Sequence, residues 1–255
     1  MTPSYQNRIA LVTGGRGVIG SAVIAALREQ GATAVCADAG GDVDGATASR
    51  DALAGSTIRL DVTDRAAIHA LVERIDRQIG PVDLLVNVAG VVSFGNAQDL
   101  AEAEWDRVID VNLKGTFLAC QAVMAGMKKA KFGRIVNIGS VVPKVSGNAR
   151  PWIDPAEQQK AGNVAYGVSK MGVHALTGFL AKELAAHGVT VNAVAPGPIA
   201  TVMTTNFPPQ LQALIPVGRM GRADDISRAV LFLGARENGF ITGEILDVNG
   251  GIYCD

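Results

Sequence analysis

Cysteine is scarce and poorly spaced for structural work. Three occur, Cys36, Cys120 and Cys254. An odd count with no Cys-x-x-Cys argues against a disulfide framework or a zinc site, and for reduced thiols in a cytoplasmic protein. Charge of one sign is also missing: 23 Lys and Arg against 24 Asp and Glu leave a formal net charge of -1. No basic run occurs, so no electrostatic feature would draw nucleic acid or an anionic membrane as a partner. No apolar stretch approaches the roughly 18 residues of a membrane span, and the start, MTPSYQNRIALVTGG, has only a short apolar run that ends in glycines, unlike a leader. The histidines, His69, His174 and His187, show no ligand spacing. They are expected as packing or surface residues, and no metal is assigned.

What is present is a globular composition, 48% hydrophobic and 18% charged over 255 residues, enough for one α/β domain with a large core. Short apolar runs alternate with longer amphipathic stretches. Strands are predicted at 9–12, 33–37, 58–60, 82–87, 134–138, 189–194 and 244–248. Helices are predicted at 21–30, from an Asp64 cap to about 79, and at 105–129, 165–187 and 225–233. Strand runs without polar alternation suggest strands covered on both faces. That pattern predicts a Rossmann-like, doubly wound parallel sheet flanked by helices, as a single domain over 1–255. Residues 39–56 and 143–163 do not fit the rhythm and read as loops. A loop as long as the second is functional or disordered in a compact domain.

Two local patterns carry chemistry. TGGRGVIG, residues 13–20, lies between the first strand and the first helix. Glycines there let a pyrophosphate approach a helix N-terminus. Asp38 ends the second strand, where a carboxylate accepts hydrogen bonds from ribose hydroxyls and repels a 2′-phosphate, which favours NAD over NADP. Arg16 is the counter-signal, since a cation in the loop could reach that phosphate. In YGVSK, Tyr166 and Lys170 stand at i and i+4 on one helix face. A free tyrosine, with a pKa of about 10, is a poor base near neutrality. A fixed ammonium beside it, or an oxidised nicotinamide ring, would favour the phenolate. Tyr166 could then exchange a proton with an alcohol or ketone.

Taken together and in order, these motifs resemble the single-domain short-chain dehydrogenases/reductases over nearly the whole chain. The resemblance implies a coenzyme loop with Gly14, Arg16, Val18, Ile19 and Gly20, and an Asp61-Val62 pair at the adenine. NVAG, with Asn87, Ala89 and Gly90, resembles the family's Asn-Asn-Ala-Gly. Asn112 in VNLKG would hold a water of the proton relay, and Ser140 in NIGSV would bind the substrate oxygen. Tyr166 and Lys170 would act as acid/base and its partner, and would also touch the cofactor, Lys170 lowering the tyrosine pKa and holding the nicotinamide ribose. APGPIAT, with Pro196, Gly197, Ile199 and Thr201, would cup the nicotinamide. The implied reaction is reversible hydride transfer between a secondary alcohol or its ketone and a nicotinamide cofactor, in a homotetramer or homodimer paired through the two long helices.

Two departures stand out. Val18 replaces a family glycine, and its β-branched side chain suits an ordinary backbone, not positive φ. Ser140 and Tyr166 lie 26 positions apart, near twice the family spacing. The surplus, about 148–162, is expected as part of a substrate lid in which Arg150, Trp152 and Gln158 meet a polar or acidic ligand. Met203, Phe207 and Leu211 are candidates for an apolar wall over the substrate. Two other functions remain in view: an NADPH-dependent 3-oxoacyl-carrier-protein-type ketoreductase, kept open by Arg16, and a dinucleotide-sensing protein without turnover, disfavoured because both members of the Tyr–Lys pair are present.

Overall fold

A computed structural model of the chain describes residues 5–147, 162–200 and 212–255. The strands are β1 (Ile9–Thr13), β2 (Thr33–Asp38), β3 (Val43–Asp44), β4 (Thr57–Arg59), β5 (Leu84–Asn87), β6 (Gly133–Ile138), β7 (Val189–Pro196) and β8 (Ile245–Val248). They form one eight-stranded sheet in the order β3-β4-β2-β1-β5-β6-β7-β8, with every pair parallel. The chain runs outward from β1 through β2, then returns to place β5 on β1's other side. The switch point between β1 and β5 is where a doubly wound sheet opens its ligand crevice.

The continuous apolar runs are explained by burial on both faces. Leu11, Val35, Leu85, Ile135 and Val191 enter one core. Ala10, Val12, Ala34, Leu84, Val86 and Val136 enter the other. Successive strand residues thus feed opposite layers, as a period of two requires. One layer holds α1 (Val18–Glu29) and α7 (Ala223–Gly234). The other holds α3 (Arg65–Gln78), α5 (Gly115–Ala130) and α6 (Val164–Leu184). In α1, Val23, Ile24 and Leu27 are buried, each stabilising the layer by about 1.5–3 kcal/mol. Asp64 caps α3 as expected, its side chain accepting from Ala67 N.

Residues 39–56 are less irregular than the sequence suggested. They contain the two-residue edge strand β3 and a short helix, α2 (Arg50–Gly55), capped by Ser49. Two and six residues are too few to display a periodicity. The helix predicted at 105–129 is longer and not uniform: α4 (Glu102–Ile109) passes through a π turn at Asp110–Lys114 into α5. The unbroken run Glu102–Ala130 is long and apolar enough to cross a membrane by length and composition, which the absence of a wholly apolar stretch did not anticipate. Half of its most apolar window is buried, with Leu118, Ala119, Val123 and Met127 in the core between sheet and helices.

Candidate active site

The glycine loop leaves β1 at the switch point. Gly14 has φ +66, and a Cβ there would lie 2.5 Å from Ala89 N at the end of β5. A Cβ on Gly20 would lie 2.3 Å from Gly14 O. The loop is therefore folded so tightly that only glycine fits at these two places. Gly15 is crowded too: a Cβ would fall 2.5 Å from Cys36 Sγ. Val18 opens α1 outside the left-handed region, and Ile19 packs on the core beneath. The N-terminus of α1 has no side-chain cap and no acidic residue in its first turn. Its positive end is thus uncompensated, and such an end suits a phosphate. These features fit a dinucleotide pyrophosphate.

At the end of β2, the Asp38 carboxylate accepts from Arg16 N at 3.1 Å and from Gly40 N at 2.9 Å. The Arg16 guanidinium donates to Gly40 O, so the loop's cation is folded beside Asp38. Asp61 Oδ1 accepts from the amide and hydroxyl of Thr63, each at 2.8 Å. Val62 is buried, its Cγ2 2.7 Å from where a Gly115 Cβ would stand. It therefore offers a ligand its backbone and not its side chain. Ala89 N donates to Thr13 Oγ1 at 3.4 Å.

Asn87, expected from its motif as a cofactor contact, is buried. It shares a strand face with Leu85, so its side chain enters the α5–α6 layer. There Nδ2 donates to Asn137 Oδ1 at 2.9 Å and to Cys120 Sγ at 3.3 Å. Asn137 Nδ2 in turn donates to Thr177 Oγ1 at 3.0 Å. This buried polar ladder ties β5, β6 and α6 together.

The chemistry-bearing side chains meet at the carboxyl end of β6. Asn163 caps α6, accepting from Tyr166 N, and its Nδ2 donates to Ser93 Oγ at 2.7 Å and Phe94 O at 3.1 Å. The first turn of α6 is so fixed against the segment after β5. Tyr166 is half-buried, with the Ser140 side chain beside its phenol. Lys170 is buried, and its Nζ donates to Ile138 O at 2.8 Å. Asn112 lies in the π turn, fully buried. Its amide pairs with both backbone groups of Val91, at 2.7 and 2.9 Å, and donates to Ser169 Oγ at 3.0 Å. A π turn in the middle of a helix frequently marks a functional site. Beside Gly90, one point lies 3.3 Å from Asn112 Oδ1 and 3.4 Å from Lys170 Nζ. A side chain there would fill the space between these two polar groups.

Burial pushes the Tyr166 phenol above its ordinary pKa, while the Ser140 hydroxyl pulls it down. Burial pulls the Lys170 ammonium down to about 8. Lys170 Nζ is anchored on the Ile138 carbonyl, and the Ser140 hydroxyl opposes the larger effect of burial on the phenol.

Pro196 ends β7, its carbonyl accepting from Val141 N at 2.9 Å, and Gly197 N donates to Val248 O at 3.0 Å. Ile199 is buried in a bridge with Gly221. Thr201, Met203, Phe207 and Leu211 lie outside the described residues, as do Arg150, Trp152 and Gln158. Gly162, at the far end of the expected insertion, bridges Phe94. A cavity of about 490 Å³ opens beside Gly197 and Pro198, reaching Asn249 and Tyr253 but neither Tyr166 nor Lys170. Among the described residues, no three His, Cys, Asp or Glu side chains converge on a metal position.

Two residues at the site have no counterpart among the sequence-based candidates. Ser169 links Asn112 to the first turn of α6, accepting from Asn112 Nδ2 and donating to Tyr166 O at 2.8 Å. His174, expected as a packing or surface residue, meets Ser140 N at 3.4 Å. Its spacing of four from Lys170 and eight from Tyr166 is the available signal, because it puts all three on one stripe.

Comparison with known proteins gives a consistent result. A sequence-family model described as enoyl-(acyl carrier protein) reductase matches residues 15–253. The BbsD subunit of a hydroxy(phenyl)methylsuccinyl-CoA dehydrogenase from Thauera aromatica is 39% identical, covering 96% of each chain. The 3-oxoacyl-acyl-carrier-protein reductase FabG of Escherichia coli K12 is 38% identical, covering 98% of this chain and 99% of its own. The crystal structure of gox2181 superposes with a TM-score of 0.82 at 34% identity, covering 99% of both chains.

Proposed function

The chain belongs to the short-chain dehydrogenase/reductase family, oxidoreductases that move a hydride between a nicotinamide cofactor and an alcohol or ketone, and on that premise we propose that Tyr166, Lys170, Ser140 and Asn112 carry the reaction in one domain. The observation that supports this most is the convergence of Tyr166, Ser140 and Lys170 at the end of β6. When bound, the nicotinamide supplies or accepts the hydride. The Ser140 hydroxyl orients and polarises the substrate oxygen. In reduction, the Tyr166 hydroxyl gives its proton to that oxygen as the alcohol forms, and in oxidation the phenolate takes it back. Lys170 keeps a positive charge close to the reacting groups, and Asn112, across the space left by Gly90, supports proton return from solvent through water.

NAD is the favoured cofactor. Asp38 stands where a 2′-phosphate would meet a carboxylate, and Arg16 is already engaged with the Gly40 carbonyl. NADP is the second reading, since an Arg16 released from Gly40 would supply a phosphate partner. As substrate we propose a secondary alcohol or ketone on an acyl group attached to a carrier. The names of the two relatives both describe such a compound, on coenzyme A or on acyl carrier protein. Phe117, Val168, Met171 and Phe179 expose apolar surface on α5 and α6, which supports a homodimer or homotetramer joined through these helices. The reduced cysteines fit a cytoplasmic protein.

Tyr166→Phe tests the assignment. It should lower kcat by roughly 10²–10⁴-fold, the usual contribution of a positioned acid/base, with cofactor affinity by calorimetry nearly unchanged. A variant with full turnover on an acyl-carrier or simple secondary alcohol substrate would remove Tyr166 from the chemistry.

A further inference from the structure

α6 presents Tyr166, Lys170 and His174 to the end of β6 at intervals of four residues. The last two grip the β6 backbone at neighbouring points. Lys170 Nζ donates to Ile138 O at 2.8 Å. His174 Nε2 accepts from Ser140 N at 3.4 Å. Between them, Gly139 lacks a side chain at a place where a Cβ would lie 2.2 Å from His174 Nε2. The imidazole occupies the room that this glycine leaves. His174 is 8% exposed, so the Ser140 amide has little solvent to turn to. On its far side the same stretch is held by β7, with Gly139 N on Val194 O at 2.8 Å and Val141 N on Pro196 O at 2.9 Å. Ser140 is the residue of this stretch whose amide turns from β7 towards the helix.

We propose that His174 is a positioning residue of the catalytic site: its imidazole, seated over Gly139, accepts the Ser140 amide and thereby sets the Ser140 hydroxyl against Tyr166. The role requires a neutral ring with its proton on Nδ1. The surroundings favour that form. Burial pulls His174 down to about 4, and Lys144 from the segment after β6 and Lys170 on the same helix both oppose an imidazolium. Lys144 is itself paired with Asp247 of β8 and with Asp255, and burial pushes the Tyr166 phenol up, towards its uncharged form. An apolar residue at 174 would leave the Ser140 amide buried without an acceptor.

This inference rests on the catalytic reading of Ser140 and Tyr166, and the experiment separates the two. The full chain is compared with His174→Leu, which cannot accept a hydrogen bond, with His174→Gln, which can, and with Gly139→Ala, which keeps the imidazole but displaces it. The readouts are hydrogen exchange of the Ser140 amide and steady-state kinetics across pH. His174→Leu and Gly139→Ala should each exchange the Ser140 amide at least ~10-fold faster and lose kcat by roughly 10–100-fold, the scale of a misplaced reacting group, with cofactor KM unchanged. His174→Gln should recover most of both. The activity rise with pH should move upward in His174→Leu, because Ser140 no longer lowers the phenol. Unchanged exchange in both His174→Leu and Gly139→Ala overturns the inference, as does a His174→Gln variant no better than His174→Leu. Faster exchange with undiminished turnover would keep the His174–Ser140 contact and refute the catalytic reading instead. Should His174→Leu not fold, Gly139→Ala against His174→Gln decides alone.

Discussion

His174 makes a prediction about stability that does not depend on any substrate. Its pKa is pulled from the ordinary 6.5 to about 4, first by burial and then by Lys144 and Lys170. In the unfolded chain the ring gains a proton as pH falls through 6.5, while the folded protein resists until about 4. The unfolded state therefore binds more protons between these values, and stability is lost as pH falls through that window. The full gap is worth about 3 kcal/mol at about 1.4 kcal/mol per pH unit. Between pH 7 and pH 5 the loss is about 2 kcal/mol. Other groups titrate over the same range, so the measurement is a difference. Urea unfolding of the wild type and His174→Gln, at pH 7 and pH 5, isolates the single ring. The variant should be the less stable at pH 7, and its deficit should shrink by about 2 kcal/mol at pH 5, the equivalent of roughly 4–8 °C in Tm. A deficit that stays the same at both pH values would mean that the ring is not held neutral against Ser140, and the packing argument around Gly139 would fall with it.

Two further outcomes follow from the cofactor cleft. Asp38→Ala removes a charged acceptor, so NAD should bind about 10–100-fold more weakly, on about 1.5–3 kcal/mol for hydrogen bonds to a charged group, while NADP loses less. Calorimetric titration of both cofactors checks this, and an unchanged NAD/NADP ratio would move the ribose away from Asp38. Gly14→Ala places a Cβ against Ala89 N in a left-handed backbone. It should cost about 2 kcal/mol or more of stability and weaken either cofactor, and a variant with wild-type Tm and affinity would show that the loop is looser than its geometry implies.

Much of this protein is legible in its amino-acid order. Strands covered on both faces must be apolar at most positions, and 9–12 and 33–37 follow that pattern closely, while 134–138 and 189–194 bury Arg134, Asn137, Thr190 and Asn192 among their apolar residues. The pattern alone implies helices on both sides of a parallel sheet. The Asp64 cap and the Tyr166–Lys170 spacing are readable because each is a local rule, satisfied within a turn of helix. Short elements are not readable: β3 and α2 are too brief for a periodicity and exist because β4 pairs with β3 and the β2–β4 edge of the sheet supports α2.

The candidate site divides along the same line. Sequence determined which chemistries are available, because a tyrosine, a lysine, a serine and a glycine loop each announce a residue type at a known interval. Tertiary structure decided what each group faces. It turned Asn87 into the core, because strand alternation gives it the face of Leu85. It anchored the Lys170 ammonium on Ile138 O, and it set the Ser140 hydroxyl beside a Tyr166 phenol that burial pushes up. It seated His174 in the room that Gly139 leaves, a pairing of residues 35 positions apart that no local rule connects. Spacing along a chain fixes only neighbours within a few residues, whereas burial, hydrogen-bond partners and the resulting shifts in proton affinity depend on contacts that close only when the sheet and its helices pack.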